Sequence, residues 1–142
     1  EGLKDLPIKM NPISKECNPN YWLSCIIIDK EAMCKQVRGE QEALYITEQG
    51  KTCPTEILEK LAEINAEGRP IWKPMHMQPI FRMNPFVTKT GNGRAKTNAY
   101  IKEETEDVGM DIFTRGLCLP SDNKMTPEQQ EKIIEVIKGC FE

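Results

Sequence analysis

The sequence predicts an α+β domain in which helices cover one face of a small, mostly antiparallel sheet. Residues 20–29 form a nearly continuous apolar run rich in β-branched and aromatic side chains, typical of a buried central strand. Residues 52–66 and 126–141 instead repeat apolar side chains at helical spacing. We expect a single domain over residues 1–142, large enough to bury about two-thirds of its unfolded surface.

The predicted order of elements is strand, strand, helix, edge strand, loop, helix, strand, helix. A first short strand is expected near residues 8–13, before the central strand at 20–29. Another is expected at residues 117–120, after the second helix.

The helix predicted at residues 52–66 begins with Pro54, a residue suited to a first helical turn. We expect an ion pair between Glu56 and Lys60, and a C-cap at Gly68. Its apolar face consists of Ile57, Leu58, Leu61 and Ile64.

Two more helices are predicted in the last third of the chain. The first runs from Thr105 to Arg115, where a capping residue precedes acidic side chains, and Gly116 ends it. The second opens with a capping box, Thr126 with Gln129 three residues later. The expected buried residues are Val108, Ile112 and Phe113 in the first helix and Ile133, Ile134, Ile137 and Phe141 in the second.

Two long connections separate these elements. Residues 31–50 are interpreted as an extension with a weak helical pattern at 40–46, and residues 81–105 as a mobile loop. Residues 91–94, Gly-Asn-Gly-Arg, lack the preceding strand and following helix of a phosphate-binding loop.

Residues 68–79 contain the one histidine, one of two tryptophans and three of the ten prolines. Proline excludes a helix interior and favours an extended backbone before it, so an irregular edge strand carrying Trp72, Lys73 and His76 is predicted. The alternative is a surface connection with a buried tryptophan and an incidental histidine.

Charge and cysteine content exclude several functions. A formal net charge of -3 argues against nucleic acid as the main partner, and no run is long enough to span a membrane. The six cysteines lack Cys-x-x-Cys spacing, and one histidine cannot complete the usual zinc sites. We therefore expect reduced cysteines and a cytoplasmic protein, with Cys25 and Cys118 acting as small apolar side chains in strands. Paired carboxylates and a nucleophile motif are also lacking.

Three segments share the order and residues of one family. Residues 69–79 are similar to R-P-L-W-K-P-M-H-x-Q-P, residues 115–121 to R-G-L-C-L-P-S, and residues 20–23 to N-x-W-L. In these segments the chain resembles the DegT/DnrJ/EryC1/StrS sugar aminotransferases, and the resemblance covers most of residues 20–142.

The resemblance implies the C-terminal small domain of a fold-type-I enzyme that depends on pyridoxal 5'-phosphate. In the family, an N-terminal large domain carries the Schiff-base lysine and the acid that pairs with the pyridine nitrogen. We expect both to lie outside this sequence, so this chain would hold no catalytic residue and be inactive alone. The family moves an amino group, usually from glutamate, to a nucleotide-linked keto sugar for polysaccharide or glycan biosynthesis. A homodimer is expected for the full-length protein.

The resemblance suggests His76, Lys73, Arg69 and Trp72 as substrate-binding residues. The His76 imidazole could bind a hydroxyl or phosphate oxygen of the sugar nucleotide. Lys73 could place a positive charge near the diphosphate or the donor carboxylate, or face solvent. Arg69 could pair with a ligand carboxylate or brace the helix end at Glu67. Trp72 is expected in the core more than against a ligand.

The remaining expectations concern structural positions, two long connecting segments and the alternative functions. Asn20, Trp22, Arg115 and Cys118 are interpreted as structural. The segments at 31–53 and 81–105 look longer than in the family, which leaves the sugar open and makes Arg94 and Tyr100 candidates for substrate contact. A related sugar dehydratase and a non-catalytic interaction module remain alternatives.

Overall fold

A computed structural model describes residues 1–38, 43–81, 84 and 107–142, apart from the side chains of Arg38 and Ala43. These residues belong to two compact units. The larger unit comprises residues 1–71 and 115–142, and the smaller comprises residues 72–114.

The strands lie within the larger unit. In chain order they are β1 (Ile8–Met10), β2 (Cys25–Ile28), β3 (Gln36–Arg38), β4 (Ala43–Tyr45), β5 (Arg69–Pro70) and β6 (Gly116–Cys118). Four of them form one sheet in the order β1-β2-β6-β5, and every neighbouring pair is antiparallel. β3 and β4 form a separate two-stranded hairpin. The prediction of a small antiparallel sheet with β2 inside it is confirmed.

The helices are α1 (Pro54–Glu63), α2 (Val108–Arg115) and α3 (Pro127–Gly139). Because side chains alternate along a strand, Ile26 and Ile28 of β2 point to the same face of the sheet as Leu117 of β6. They join one buried apolar cluster with residues of α1 and α3. The helical members of this cluster are Ile57, Leu61, Ile133 and Ile137. The α+β prediction is therefore confirmed for the larger unit.

Residues at the N-termini of α1 and α3 determine where these helices begin. α1 begins at Pro54 after Cys53, and α3 begins after the predicted capping box. There the Gln129 backbone N–H donates to Thr126 Oγ1 at 3.3 Å, while the Gln129 side chain accepts from the Thr126 N–H at 2.9 Å. These two bonds satisfy donors that a helix N-terminus otherwise leaves unpaired.

The predicted end of α1 is wrong. The helix stops at Glu63, and Asn65, not Gly68, adopts the left-handed conformation typical of a helix C-cap, with a φ of 59°. Gly68 has a different role, because it allows two segments to approach closely. A Cβ at this position would lie 2.7 Å from Leu58 Cδ2 and 3.1 Å from the Cys118 carbonyl oxygen.

Two further expectations about residues 40–60 are wrong. Residues 43–45 form β4 instead of a helical turn, because they pair with β3, while residues 40–42 lie outside the described residues. Glu56 does not pair with Lys60. Its carboxylate is buried and accepts from Thr52 Oγ1 at 2.8 Å, while Lys60 pairs with Glu63 at 2.9 Å.

The helix predicted from Thr105 begins at Val108, and Thr105 itself lies outside the described residues. It ends at Arg115, before Gly116, as predicted. Across the described part of the chain, the longest apolar helix falls short of what a bilayer crossing requires.

We predict that Gly68→Ala lowers the free energy of unfolding by about 1–3 kcal/mol, since the added methyl group overpacks the contact with Leu58 and Cys118. Urea denaturation would measure the change. Gly139→Ala is the matched control, because no atom lies within 4 Å of a Cβ there. It should leave stability unchanged or raise it by up to about 1 kcal/mol. Equal effects of the two substitutions would contradict the packing role of Gly68.

Candidate functional site

The proline-rich segment is an edge strand only at its start. β5 ends at Pro70, and 3-10 helical turns follow at Met75–Met77 and Pro79–Phe81. The prediction of a strand along the whole segment is therefore wrong. Pro74 and Pro79 supply no N–H for a sheet ladder, and the backbone closes on itself instead. The Met77 N–H donates to the Pro74 carbonyl at 2.9 Å, and the Gln78 side chain donates to the Lys73 carbonyl at 3.2 Å.

His76 makes a close polar contact within the smaller unit. Its Nε2 lies 2.6 Å from Oδ2 of Asp107, and the two side chains are 16% and 9% exposed. The other carboxylate oxygen, Oδ1, accepts from the Met110 backbone N–H at 2.9 Å. Asp107 thus caps the first turn of α2 and holds the imidazole with the same carboxylate.

This geometry fixes the orientation of the imidazole. An ionised carboxylate only accepts hydrogen bonds, so His76 donates through Nε2–H. A carboxylate placed in this way sets the tautomer and the ring plane of a histidine. The dyad is therefore suited to presenting an imidazole in one defined orientation, and Asp107 acts on any ligand through His76.

The other predicted site residues have different environments. Trp72 is 61% exposed, so the expectation that it belongs to the core is wrong. Lys73 is half-buried in the same unit. Arg69 lies in the larger unit and pairs with the exposed Glu67 carboxylate, but Glu67 lies beyond the end of α1 at Glu63, so the expected brace of the helix end is wrong. Trp72, Lys73 and His76 thus share one unit, and Arg69 belongs to the other.

Asp107 was not identified from the sequence as a site residue. It was recognised as part of an acidic helix start, but it lies 31 positions from His76. The available signal in the sequence is that Asp107 is an acidic residue at the start of a helix. This signal does not indicate that His76 is its hydrogen-bond partner. Arg94 and Tyr100, the other candidates, lie outside the described residues.

Among the positions predicted to be structural, Arg115 and Asn20 make hydrogen bonds to the backbone, whereas Trp22 is exposed. The Arg115 guanidinium donates to the Ile28 carbonyl oxygen, a contact within the larger unit. The Asn20 side chain accepts from the Trp22 N–H at 3.1 Å. Trp22 itself is exposed and does not contribute to the core. In the described ranges, no three His, Cys, Asp or Glu side chains converge as metal ligands would.

The chain is similar to a protein of Bacillus subtilis (strain 168) named "Putative pyridoxal phosphate-dependent aminotransferase EpsN". The two are 41% identical over 88 residues, which is 62% of this chain and 19% of the relative. The chain thus spans about a fifth of the length of that relative. No family model matches the chain.

We predict that His76 and Asp107 stabilise the fold cooperatively. In a double-mutant cycle with His76→Ala and Asp107→Ala, the coupling energy should be about 1–2 kcal/mol, because each change removes the same hydrogen bond between two mostly buried side chains. Urea denaturation of the four proteins gives this value. The exposed Lys51–Glu48 pair supplies a control cycle with a smaller coupling. Additive effects at His76 and Asp107 would show that the contact contributes nothing to stability.

Proposed function

We propose that this chain is the C-terminal small domain of a pyridoxal phosphate-dependent aminotransferase that acts on a nucleotide-linked keto sugar. The observation that carries the proposal is the 41% identity over 88 residues to a protein named as a putative pyridoxal phosphate-dependent aminotransferase. The three matching segments at residues 20–23, 69–79 and 115–121 support the sugar aminotransferase family in particular.

The proposal places the cofactor site outside the described residues. Pyridoxal phosphate needs a lysine amine for its aldehyde and an acid beside its ring nitrogen. Asp107 already binds His76 and the start of α2, and Lys51 and Lys60 pair with surface glutamates. We propose that the lysine and its acid lie in a large domain N-terminal to this one, so no step through the cofactor is assigned here.

In this proposal, the His76 imidazole contacts the sugar nucleotide and Asp107 positions it. The 2.6 Å contact holds the ring, so the entropy cost of ordering it is already met before the ligand binds. Lys73 lies three residues earlier and, being half-buried, supplies a compact positive charge for the diphosphate or the donor carboxylate.

Trp72 and Arg69 take secondary roles. The exposed indole of Trp72 offers an aromatic face on which a nucleobase or sugar ring packs. Arg69 serves the ligand only if it leaves Glu67, so its contribution is the smallest of the four.

The remaining features of the proposal follow the family resemblance. Glutamate would donate the amino group, the product would enter polysaccharide or glycan biosynthesis, and the full-length protein would be a cytoplasmic homodimer. Six cysteines that are all free thiols support a reducing compartment.

We predict that His76→Ala in the full-length protein lowers kcat/KM for the sugar nucleotide by about 10-fold to 100-fold, the loss expected for a hydrogen bond to a charged group. The visible absorption of the bound cofactor and its reaction with glutamate should be unchanged, because His76 contacts neither. Steady-state and half-reaction kinetics measure both effects.

Lys73→Ala should give a loss of the same kind, and Lys9→Ala provides its control. Lys9 is exposed on β1, the edge strand opposite β5 in the sheet. Unchanged sugar kinetics for His76→Ala would remove the substrate role of this residue. A loss of cofactor absorption in the same variant would show that it supports the cofactor instead.

A second prediction concerns the location of the cofactor lysine. After incubation with pyridoxal phosphate and reduction with borohydride, the 142-residue chain should show no stoichiometric label at any one lysine, whereas a full-length protein with the proposed N-terminal domain should be labelled at one lysine upstream. Peptide mapping by mass spectrometry identifies the site. A single labelled lysine within these residues would overturn the proposed division of roles.

The same experiment distinguishes the alternatives. A full-length protein that binds the cofactor without a lysine label would be a sugar dehydratase relative. A natural product no longer than this chain, without cofactor binding, would be an interaction module.

A further inference from the structure

We infer that Cys25 and Cys118 form a reversible disulfide when the protein meets a disulfide oxidant such as oxidised glutathione. The two residues are direct partners on the neighbouring strands β2 and β6. Both are free thiols, and their Sγ atoms lie 3.6 Å apart. The proposed aminotransferase role does not use this pair, so the inference stands independently of it.

The strand register favours the bond. The Leu119 N–H donates to the Ser24 carbonyl at 2.8 Å, while the backbone N–H and carbonyl of Cys25 bond to Asn11. Since hydrogen-bonded and non-hydrogen-bonded pairs alternate along an antiparallel ladder, Cys25 and Cys118 form a non-hydrogen-bonded pair. Their Cα atoms are then about 4.5 Å apart, within the range of about 4.4–6.8 Å that a disulfide accepts.

Closing the bond requires only side-chain movement. The sulfur atoms must approach from 3.6 Å to about 2.0 Å, while the backbone separation already suits the bond. The pair is therefore preorganised in the reduced protein, and the entropy cost of bringing the two thiols together has been met by folding.

The two thiols differ in accessibility, which sets the order of reaction. Cys25 is half-buried, whereas Cys118 is 2% exposed. Burial, together with the contact with Cys25, raises the pKa of the Cys118 thiol to about 12. Cys25 is thus the sulfur that an oxidant reaches first, and Cys118 is the resolving thiol held against it.

The reaction balances with one molecule of glutathione disulfide. The Cys25 thiolate attacks one sulfur of the oxidant, which breaks its S–S bond, expels one glutathione thiolate and leaves a mixed disulfide. The Cys118 thiol then loses its proton and attacks Cys25 Sγ, expelling the second glutathione. Two protein thiols are oxidised, and one glutathione disulfide is reduced to two thiols, which take up the two protons.

A second thiol pair in the same unit serves as an internal control. Cys34 and Cys53 lie on adjacent segments, because the Cys34 N–H donates to the carbonyl of Thr52 at 2.9 Å, and burial followed by the charge of Cys53 raises the pKa of the Cys34 thiol to about 12. Both residues are almost fully buried, so neither sulfur is open to glutathione. If closeness of the two thiols were sufficient, both pairs would be oxidised. If the oxidant must also reach one of the thiols, only Cys25 and Cys118 react.

The test is to equilibrate the full chain in glutathione buffers of increasing oxidised fraction, trap the thiols by acid and alkylation, and map the peptides by mass spectrometry. We expect a linked peptide containing Cys25 and Cys118 that has lost two hydrogens, distinct from any glutathione adduct on the exposed Cys17, and full reversal by dithiothreitol. Cys118→Ser should stop the reaction at a glutathione adduct on Cys25, Cys25→Ser should abolish the product, and Cys34→Ser should leave it unchanged.

Three results would overturn the inference. They are persistence of all six thiols, accumulation of the glutathione adduct on Cys25 in the unaltered protein, and formation of a Cys34–Cys53 bond before the Cys25–Cys118 bond. Because the first measurement uses the unaltered chain, it decides the matter even if a serine variant folds poorly.

Discussion

The larger unit depends on the antiparallel pairing of β2 with β6. These two short strands occupy the centre of the sheet, and their register places Ile26 beside Leu117 on the face that packs against α1 and α3. β5 has only two residues and, among the described strands, pairs with β6 alone. In the sequence, residues 72–114 lie between β5 and β6, and these two strands are neighbours in the sheet.

The core of this unit is small, and it includes polar and sulfur-containing side chains that lie beside one another. Thr52 and Glu56 are both buried and satisfy each other across one helical turn. Cys140 lies near them, and burial, followed by the charge of Glu56, raises the pKa of its thiol to about 11. A thiol with so high a pKa is neutral near pH 7, so it packs as a small apolar group.

The smaller unit is organised on a different principle. Among its described residues, none of the helical segments contains a buried side chain. Its geometry instead comes from prolines, which restrict the backbone, and from hydrogen bonds such as that between His76 and Asp107. The side chains of His76 and Asp107 are 16% and 9% exposed, while Trp72 is exposed and Lys73 half-buried. The proposed sugar-nucleotide role is compatible with this arrangement.

The sequence alone determined the features that local chemistry encodes. The capping box at Thr126, the proline start of α1 and the apolar residues of β2 each act within a few residues, so they were predicted correctly, although the strand covers only Cys25–Ile28 of the predicted 20–29. Only the tertiary structure decided the features that depend on distant partners. Asp107 meets His76 across 31 positions, and β4 forms because it has β3 to pair with. Periodicity and spacing report a residue's neighbours along the chain, whereas burial and hydrogen bonding depend on which segments the fold brings together.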